Sequence, residues 1–366
     1  MSSYWLDEPP IPRPENRVDG RVDLEIVGGG VTGCTAAFFA ARGGLKVRLH
    51  EAREIASGAS GRSGGFALRG GAMPYDVARR DLGRDRATEL WRLTEQALDR
   101  MADLAGDALR RTGSLRVAVD ESEREEVRAA YEAMREDGLA AEWIDDYFHG
   151  ALRHPRDGSL RPARWVRRLA ALAAEAGADL REQIRVESLD ELDADQVLVA
   201  TDGYTKGLLP ALDAAIKPVR GQVIATEPLS RRLFDAPHYA RQGFDYWQQL
   251  DDNRLILGGR RDTQLDHEFS DEETITEPIQ RELESFAAEL IGEPPSITHR
   301  WAGLFGQTAD ELPLAGRMPG HDNVWVAAGY SGHGNVLGFA CGELVAQAVL
   351  GQPAPELQLF DPTRVL

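Results

Sequence analysis

A strand that ends in glycines and restarts as a helix constrains this chain more than any other feature. Val22–Val27 reads as an apolar strand, and Gly28-Gly29-Gly30-Val31-Thr32-Gly33 follows at once as G-x-G-x-x-G. Thr32–Arg42 is a helical run and Leu45–His50 a second short apolar strand. Strand, turn, helix, strand in that order predicts two adjacent parallel strands. In such a unit Gly28 permits the tight turn and Gly30 lets backbone approach a pyrophosphate. Gly33 allows close helix–strand packing, and the helix N-terminus at Val31 and Thr32 supplies amide donors and partial positive charge. Glu51 ends the second strand, 18 residues after Gly33. A carboxylate there accepts hydrogen bonds from a ribose diol and would repel the 2′-phosphate of NADP. A glycine turn that binds nothing leaves the three glycines and the acid unexplained. The spacing leaves NAD and FAD both open.

The rest of the chain repeats this theme around two insertions. Glu54–Gly71 reads as a loop rich in glycine and serine, and Tyr75–Arg111 as one long helix with a stripe at Leu90, Leu93, Ala97, Met101, Leu104 and Ala108. Glu121–Glu136 and Trp165–Ala176 read as further helices, the second starting after Pro162 and stopping at Gly177. Gln196–Thr201 is a buried strand by its continuous apolar run. Gly221–Thr226, Phe244–Gln249 and Arg254–Gly258 are β segments, the last two joined by a turn at Asp251-Asp252-Asn253, and a helix follows around Ile279–Leu290. Asn323–Ala328, the turn Gly329–Gly334 and the helix Asn335–Leu350 close the chain as it began. The expected organisation is therefore discontinuous. Residues 1–74, 155–215 and 300–366 form a nucleotide-binding α/β domain, and 75–154 and 216–299 form a substrate domain with an antiparallel sheet. Met1–Gly20 is an irregular arm, because Pro9, Pro10, Pro12 and Pro14 forbid regular structure.

Composition excludes several functions. Lysine and arginine number 42 against 60 aspartate and glutamate, a net charge of −18. Such a surface repels phosphate backbones and anionic membranes, so no nucleic-acid partner is expected. Two cysteines and eight scattered histidines give neither a disulfide framework nor a metal-ligand pattern, so no metal is expected. No apolar run is long enough for a membrane span, and the polar N-terminus lacks a signal-peptide core. The expected location is the cytoplasm.

Five stretches now align with a known family: Ser3-Tyr4-Trp5, Val27–Gly33, Glu51–Gly65, Ala200–Thr205 with Leu209-Pro210, and Trp301–Arg317 with Gly329–Gly334. The chain resembles the D-amino-acid-oxidase-type FAD-dependent oxidoreductases, with their glutathione-reductase-like Rossmann FAD domain. Within them it is most similar to the glycine and sarcosine oxidases and, above all, the gamma-glutamylputrescine oxidoreductase-like amine oxidases. The resemblance implies non-covalent FAD. Glu51, Ala52 and Arg53 would border the adenosine ribose, and Ser57, Ala59, Ser60, Arg62, Ser63 and Gly64 the pyrophosphate and ribityl chain. Val186 would meet adenine through its backbone, with Thr201 and Gly203 near the cofactor. Gly332, His333, Gly334, Asn335 and Val336 would cap the flavin's pyrimidine end. The helix N-terminus there would stabilise negative charge on the reduced ring. His333 fits a packed ring as well as a catalytic one. Some relatives attach flavin to a cysteine, but Phe305-Gly306-Gln307-Thr308 contains none.

The resemblance places Tyr246, Trp247 and Gln248 on a strand that faces the flavin in relatives, with Arg260, Trp301 and His333 as further pocket candidates. No arginine occupies that strand, which favours a substrate read through its amine and an aromatic wall over a D-amino acid. Ile256 stands where several relatives carry a lysine that activates oxygen, so oxidase and dehydrogenase chemistry, with oxygen or another acceptor, both stay open. Only Glu187–Ala194 separates the adenine segment from the ATDGYT strand, so the small antiparallel meander of relatives is expected to be missing, leaving a barer face or one covered by a partner. The expected activity is oxidation of a C–N bond in an amine or amino-acid-derived substrate, giving an imine that hydrolyses. The alternatives are a D-amino-acid or glycine oxidase or dehydrogenase, and a flavin-binding protein without turnover. No side-chain acid–base pair stands out, so no catalytic residue is assigned.

Overall fold

A computed structural model describes Ser3–Leu366, so Met1 and Ser2 of the anticipated arm lie outside the described residues. The chain forms two compact units. One gathers the segment up to Asp7, Ser63–Arg161 and Arg220–Gly303; the other gathers Glu8–Arg62, Pro162–Val219 and Leu304–Leu366.

The second unit is built on a six-stranded sheet in the order Leu314–Arg317, Val324–Ala328, Ala194–Val199, Val22–Val27, Val47–His50 and Asp179–Arg181. All neighbours are parallel except the edge strand Leu314–Arg317. Period-two alternation sorts the two faces. Ile26 points at the helix Val31–Arg42, 3.2 Å from where a Cβ on Gly33 would sit, and Leu49 and Leu198 stand beside it in register. The helices Pro162–Glu175 and Gly334–Val349 pack against Val31–Arg42. The last of these comes unusually close. A Cβ on Gly342 would lie 2.5 Å from the Thr32 carbonyl oxygen, and one on Gly338 2.8 Å from Thr32 Oγ1. Glycines four residues apart let the two backbones touch.

The opposite face carries Glu25, Arg48 and Asp179 in one row. Arg48 donates to Glu25 at 2.6 Å, and both are buried. No meander stands between Asp179–Arg181 and Ala194–Val199; a single 3-10 turn, Leu189–Glu191, replaces it. The chain covers this face itself, contrary to the bare or partner-covered face expected. Arg48 reaches the carbonyls of Val18 and Gly20 at 2.6 and 2.9 Å, and the Val18 amide donates to Asp179 at 3.1 Å. Asn16 and Arg13 extend the attachment through Ala174, Ala178 and Glu182. The proline-rich arm is thus irregular, as its sequence dictates, and anchored by side chains. Beside it, Val197, Val199, Val324 and Val326 form an apolar cluster with Leu209, Leu212 and Ile216.

The first unit holds an eight-stranded sheet in the order Ile297–Gln307, Lys217–Pro228, Arg254–Gly259, Asp245–Gln249, His238–Ala240, Ser114–Val117, Ala151–His154 and Glu142–Ile144. One face packs Trp247, Leu255, Leu257 and Ile224 against Ile279, Leu283 and Phe286 of the helix Glu277–Ile291. The expected single helix Tyr75–Arg111 is two, Tyr75–Leu82 and Arg84–Ala105. Gly83 between them takes φ +85°, a left-handed conformation that ends a helix and that glycine alone adopts freely. No helix among the described residues is long and apolar enough to cross a membrane.

Burial pushes the Glu25 carboxyl up, but the Arg48 hydrogen bond, with the His50 ring 3.7 Å away, outweighs it and holds the carboxyl below its ordinary value. That stabilisation is present above the unfolded carboxylate pKa and is lost as pH falls through the depressed one. Arg48→Met strands the buried Glu25 charge and should cost roughly 3–5 kcal/mol in urea unfolding, with faster proteolysis of the arm. The double variant Glu25→Leu/Arg48→Met should recover most of that loss.

Candidate functional site

In the second unit, the strand ends and helix starts of all three segments meet. The loop after Val27 is pressed against the end of Ala194–Val199, since a Cβ on Gly28 would fall 2.5 Å from the Ala200 oxygen, and Gly28 takes φ +113°. A Cβ on Gly33 would fall 1.9 Å from the Gly28 oxygen, so the glycine is obligatory for helix and strand to meet. The helix Val31–Arg42 begins with Gly30 as its extended N-cap. Ser60 Oγ accepts from the Val31 amide at 3.0 Å. The amides of Thr32 and Gly33 belong to the first turn, which has no carbonyl four residues back to receive them. They stay available, aligned with the helix dipole.

Glu51 stands at the end of the second strand. Its two carboxylate oxygens accept from the Gly29 amide at 2.7 Å and the Arg53 amide at 2.8 Å. Each oxygen retains a second lone pair. Backbone bonds lay the next chain segment alongside: Gln183 donates to the Arg53 oxygen and Ile184 to that of Glu51, each at 2.9 Å. Val186 follows two residues later, half-buried. Ala52 lies in the turn after Glu51, and the Arg53 guanidinium sits over the Tyr204 ring at 5.2 Å. Ala59–Gly61 forms a 3-10 turn, and Arg62 folds back to the Ser57 oxygen at 2.9 Å.

Asp202 is the residue that sequence reasoning missed. It lies between Thr201 and Gly203 with φ +48°, and it forms no ion pair among the described residues. Its carboxylate accepts from the amides of Gly306 at 3.0 Å, Gly329 at 2.8 Å and Tyr330 at 3.4 Å. Burial pushes its pKa up, and those backbone donors oppose the shift. Gly203 and Gly306 leave room for this clasp; a Cβ on Gly203 would meet the Phe305 carbonyl carbon at 2.8 Å. The clasp fixes the Gly329–Gly334 turn, where Gly332 has φ +88° and the His333 amide donates to Tyr330. Tyr330 hydroxyl then meets Thr32 Oγ1 at 2.8 Å, joining the starts of two helices. The second helix opens at Gly334, with Asn335 and buried Val336 in its first turn. Burial holds His333 neutral, its pKa lowered to about 4.

Three buried polar atoms of this region have no hydrogen-bond partner: Ser57 Oγ, Gln307 Oε1 and His333 Nδ1. They cluster on the segments that the glycine loop, the clasp and the turn bring together.

The remaining candidates lie in the first unit. Ser63 accepts from the Trp5 indole at 2.8 Å through its backbone oxygen. Gly64 and Gly65 run against the strand Asp245–Gln249, where Cβ atoms would fall 2.7 Å from Tyr246 Cε2 and 2.5 Å from Gln248 Nε2. Alternation along this strand separates Trp247 from its neighbours. Trp247 is a core residue, stacked on His238 at 5.2 Å. Gln248 is spent on structure: Nε2 donates to the oxygens of Gly64 and Gly65 at 2.5 and 2.8 Å, and Oε1 accepts from Ser159 at 2.5 Å. Tyr246 is half-buried, lies over Gly258 and is edge-on to Phe66; burial pushes its pKa up to about 12. Arg260 pairs with Asp245 at 3.1 Å and covers Phe286 at 4.3 Å, and Trp301 is buried. Among the described residues no three histidine, cysteine or acidic side chains gather as a metal site.

The chain thus combines a unit with a phosphate loop on a six-stranded sheet and a unit with an eight-stranded sheet. The chain belongs to the DAO family of FAD-dependent oxidoreductases, whose model matches residues 23–348. It is 29% identical to the probable oxidoreductase OrdL of Rhizobium meliloti (strain 1021), over 94% of this chain and 86% of that protein. It is 27% identical to gamma-glutamylputrescine oxidoreductase of Escherichia coli (strain K12), over 90% of this chain and 84% of that protein. Its fold is that of glycine oxidase from Geobacillus kaustophilus, with a TM-score of 0.78 at 23% identity over 95% of this chain and all of that one. The chain is thus an FAD-dependent enzyme of an amine and amino-acid oxidoreductase family.

Asp202→Ala strands three amide donors and should destabilise the FAD-loaded protein by roughly 3 kcal/mol or more, with flavin lost during gel filtration. Asp202→Asn keeps one acceptor oxygen and should lose less. Equal thermal melts for both variants and the parent protein would refute the clasp.

Proposed function

We propose that this chain oxidises the C–N bond of a small amine or amino-acid-derived molecule, with FAD held non-covalently in the second unit. The observation that carries the cofactor assignment is the cradle of glycine contacts and free first-turn amides, together with three orphaned buried polar atoms. A Cβ on Gly30 would lie 3.0 Å from Ser60 Oγ, so only glycine leaves the loop open to a pyrophosphate. Glu51 keeps lone pairs for a ribose diol, beside Ala52, Arg53 and the Val186 segment. Ser57, Ala59, Ser60 and Arg62 line the phosphate side, with Ser63 and Gly64 continuing that loop. Thr201, Gly203, Gln307 and the turn Gly332–Val336 take the ring end. Both cysteines are buried within helices, their thiols pushed up by burial, which supports attachment without a thioether.

Bound FAD supplies the acceptor for the hydride that leaves the carbon next to nitrogen. The protein binds and orients. The helix start at Gly334 directs amides and a positive dipole end toward the turn, where they favour negative charge. His333, neutral through burial, offers a ring nitrogen as a hydrogen-bonding group there and carries no charge across the physiological range. The substrate nitrogen must be neutral for hydride to depart, so the protein needs no strong base of its own when the medium deprotonates the amine.

Relatives named as a gamma-glutamylputrescine oxidoreductase and as glycine oxidases support an amine or amino acid as the substrate class. Anaerobic mixing with a panel of amines and amino acids should bleach the flavin, and air or an added acceptor should restore it. The bleaching rate should rise with pH through the substrate amine's own pKa. A flavin that no member of the panel bleaches at any pH would sink this reading.

A further inference from the structure

The proline-rich arm has an inward side. Ile11, Arg13, Asn16 and Val18 are half-buried, while Pro12, Pro14, Glu15 and Arg17 are exposed. Proline fixes its own φ and pushes the residue before it to extended backbone, so Pro12-Arg13-Pro14 is stiff before it docks. Asn16 and Val18 fasten the arm to Ala174, Ala178 and Asp179. Arg13 reaches further. It donates to Glu182 Oε2 at 2.5 Å, and the other oxygen of that carboxylate accepts from the Ile55 amide at 2.6 Å.

Ile55 lies in the turn that follows Glu51. It is 2% exposed, so its amide needs an acceptor within the protein, and Glu182 supplies it. The Ile55 side chain presses on the glycine loop, its Cδ1 2.6 Å from where a Cβ on Gly29 would sit. The Ala56 amide donates to the Gly29 oxygen at 3.0 Å, and the Gly29 amide donates to Glu51 at 2.7 Å. Turn and glycine loop are thus tied together. Two residues beside these bonds hold left-handed backbone without being glycine: Ala56 at φ +72° and Gln183 at φ +60°. Such conformations are unfavourable for a residue with a Cβ and persist only where surrounding bonds over-determine them. Backbone bonds from Glu51 to Arg181, from Gln183 to Arg53 and from Ile184 to Glu51 do part of this. The Ile55–Glu182 bond joins the chain neighbours of both strained residues.

The Glu182 side chain is 31% exposed, so without Arg13 it is free to turn toward water. Arg13 fixes one oxygen and thereby aims the other at Ile55. We propose that Glu182 is a positioning residue for the turn that receives the adenosine end of FAD, and that Arg13 makes the arm its latch. This rests on the FAD cradle proposed above and adds a segment outside the cradle that governs how tightly the cofactor is kept. Coupling between two sites is reciprocal. Bound FAD therefore holds the arm down by the same factor by which the docked arm tightens FAD.

The test uses the FAD-loaded protein and its Arg13→Ala, Arg13→Lys, Glu182→Gln and Glu182→Ala variants. Dilution, followed by the fluorescence of released FAD, gives the dissociation constant. Trypsin cleavage after Arg17 reports arm opening, because the Val18 amide and oxygen are bonded to Asp179 and Arg48 while the arm is docked. Arg13→Ala should weaken FAD binding by roughly 2- to 10-fold, the range of a partly exposed charge pair, and Arg13→Lys should restore most of it. Glu182→Ala orphans a buried amide and should weaken binding by roughly 10- to 100-fold, with Glu182→Gln in between. Adding Arg13→Ala to Glu182→Ala should change nothing further, since both act through one contact. Saturating FAD should slow cleavage after Arg17 in the parent, and should do so less in Arg13→Ala by the factor lost in FAD affinity. Unchanged FAD affinity in Arg13→Ala overturns the proposal. So does equal protection of the arm by FAD in that variant and the parent, or full additivity in the double variant. Arg13 lies outside the core, so its variants decide the matter even where Glu182→Ala fails to fold. A parent that binds no FAD brings down the cradle and the latch together. A parent and variants that bind FAD equally leave the cradle standing and remove only the latch.

Discussion

The second unit depends on one half-buried carboxylate. Among the described residues Asp202 has no partner cation, and amides from Gly306, Gly329 and Tyr330 stabilise it. Backbone donors can hold a buried carboxylate only where they converge, so this clasp dictates where the last third of the chain runs. It sets the Gly329–Gly334 turn and therefore the start of Gly334–Val349. Thr32 and Tyr330 then bind the two helix starts together, and Gly338 and Gly342 bring the helix backbones into contact. Two positive dipole ends and a glycine loop end up at one edge of the sheet, from segments separated by some three hundred residues. A dinucleotide needs that convergence at one end and open backbone at the other.

The opposite face solves a different problem with fewer residues. Where a meander would bury an apolar surface, the row Glu25, Arg48 and Asp179 presents charge, and the proline-rich arm meets it with carbonyls and an amide. Each buried charge there is paired and hydrogen-bonded, which a buried ion pair requires in order not to cost stability. A short irregular segment suffices because its own backbone groups are the partners.

Much of this was legible from sequence because it is local. The Val22–Val27 strand, the glycine loop, the helix Glu121–Glu136 and the hairpin around Asp251-Asp252-Asn253 follow from periodicity and from conformations that glycine or turn residues supply. Glu51 and the GYSGHG turn were legible for the same reason. The strands Ser114–Val117, Glu142–Ile144 and Ala151–His154 were not, since they are short and their pairing partners are distant. Gly83 broke a helix whose apolar stripe ran straight through it. Gln248 and Trp247 looked like pocket residues because the strand could be placed, but their outcomes turn on three-dimensional partners: the carbonyls of Gly64 and Gly65 for one, the Phe286 and His238 rings for the other. Asp202 was invisible for the same reason. It matters through the amides it gathers.

The central claim is that the three segments of the second unit form a cradle for FAD. The most direct measurement is to denature the purified protein and identify and count the chromophore released. The account predicts a yellow protein that releases one FAD per chain and retains none on the polypeptide. A colourless protein that takes up no added FAD, or one that releases a different nucleotide, would contradict it.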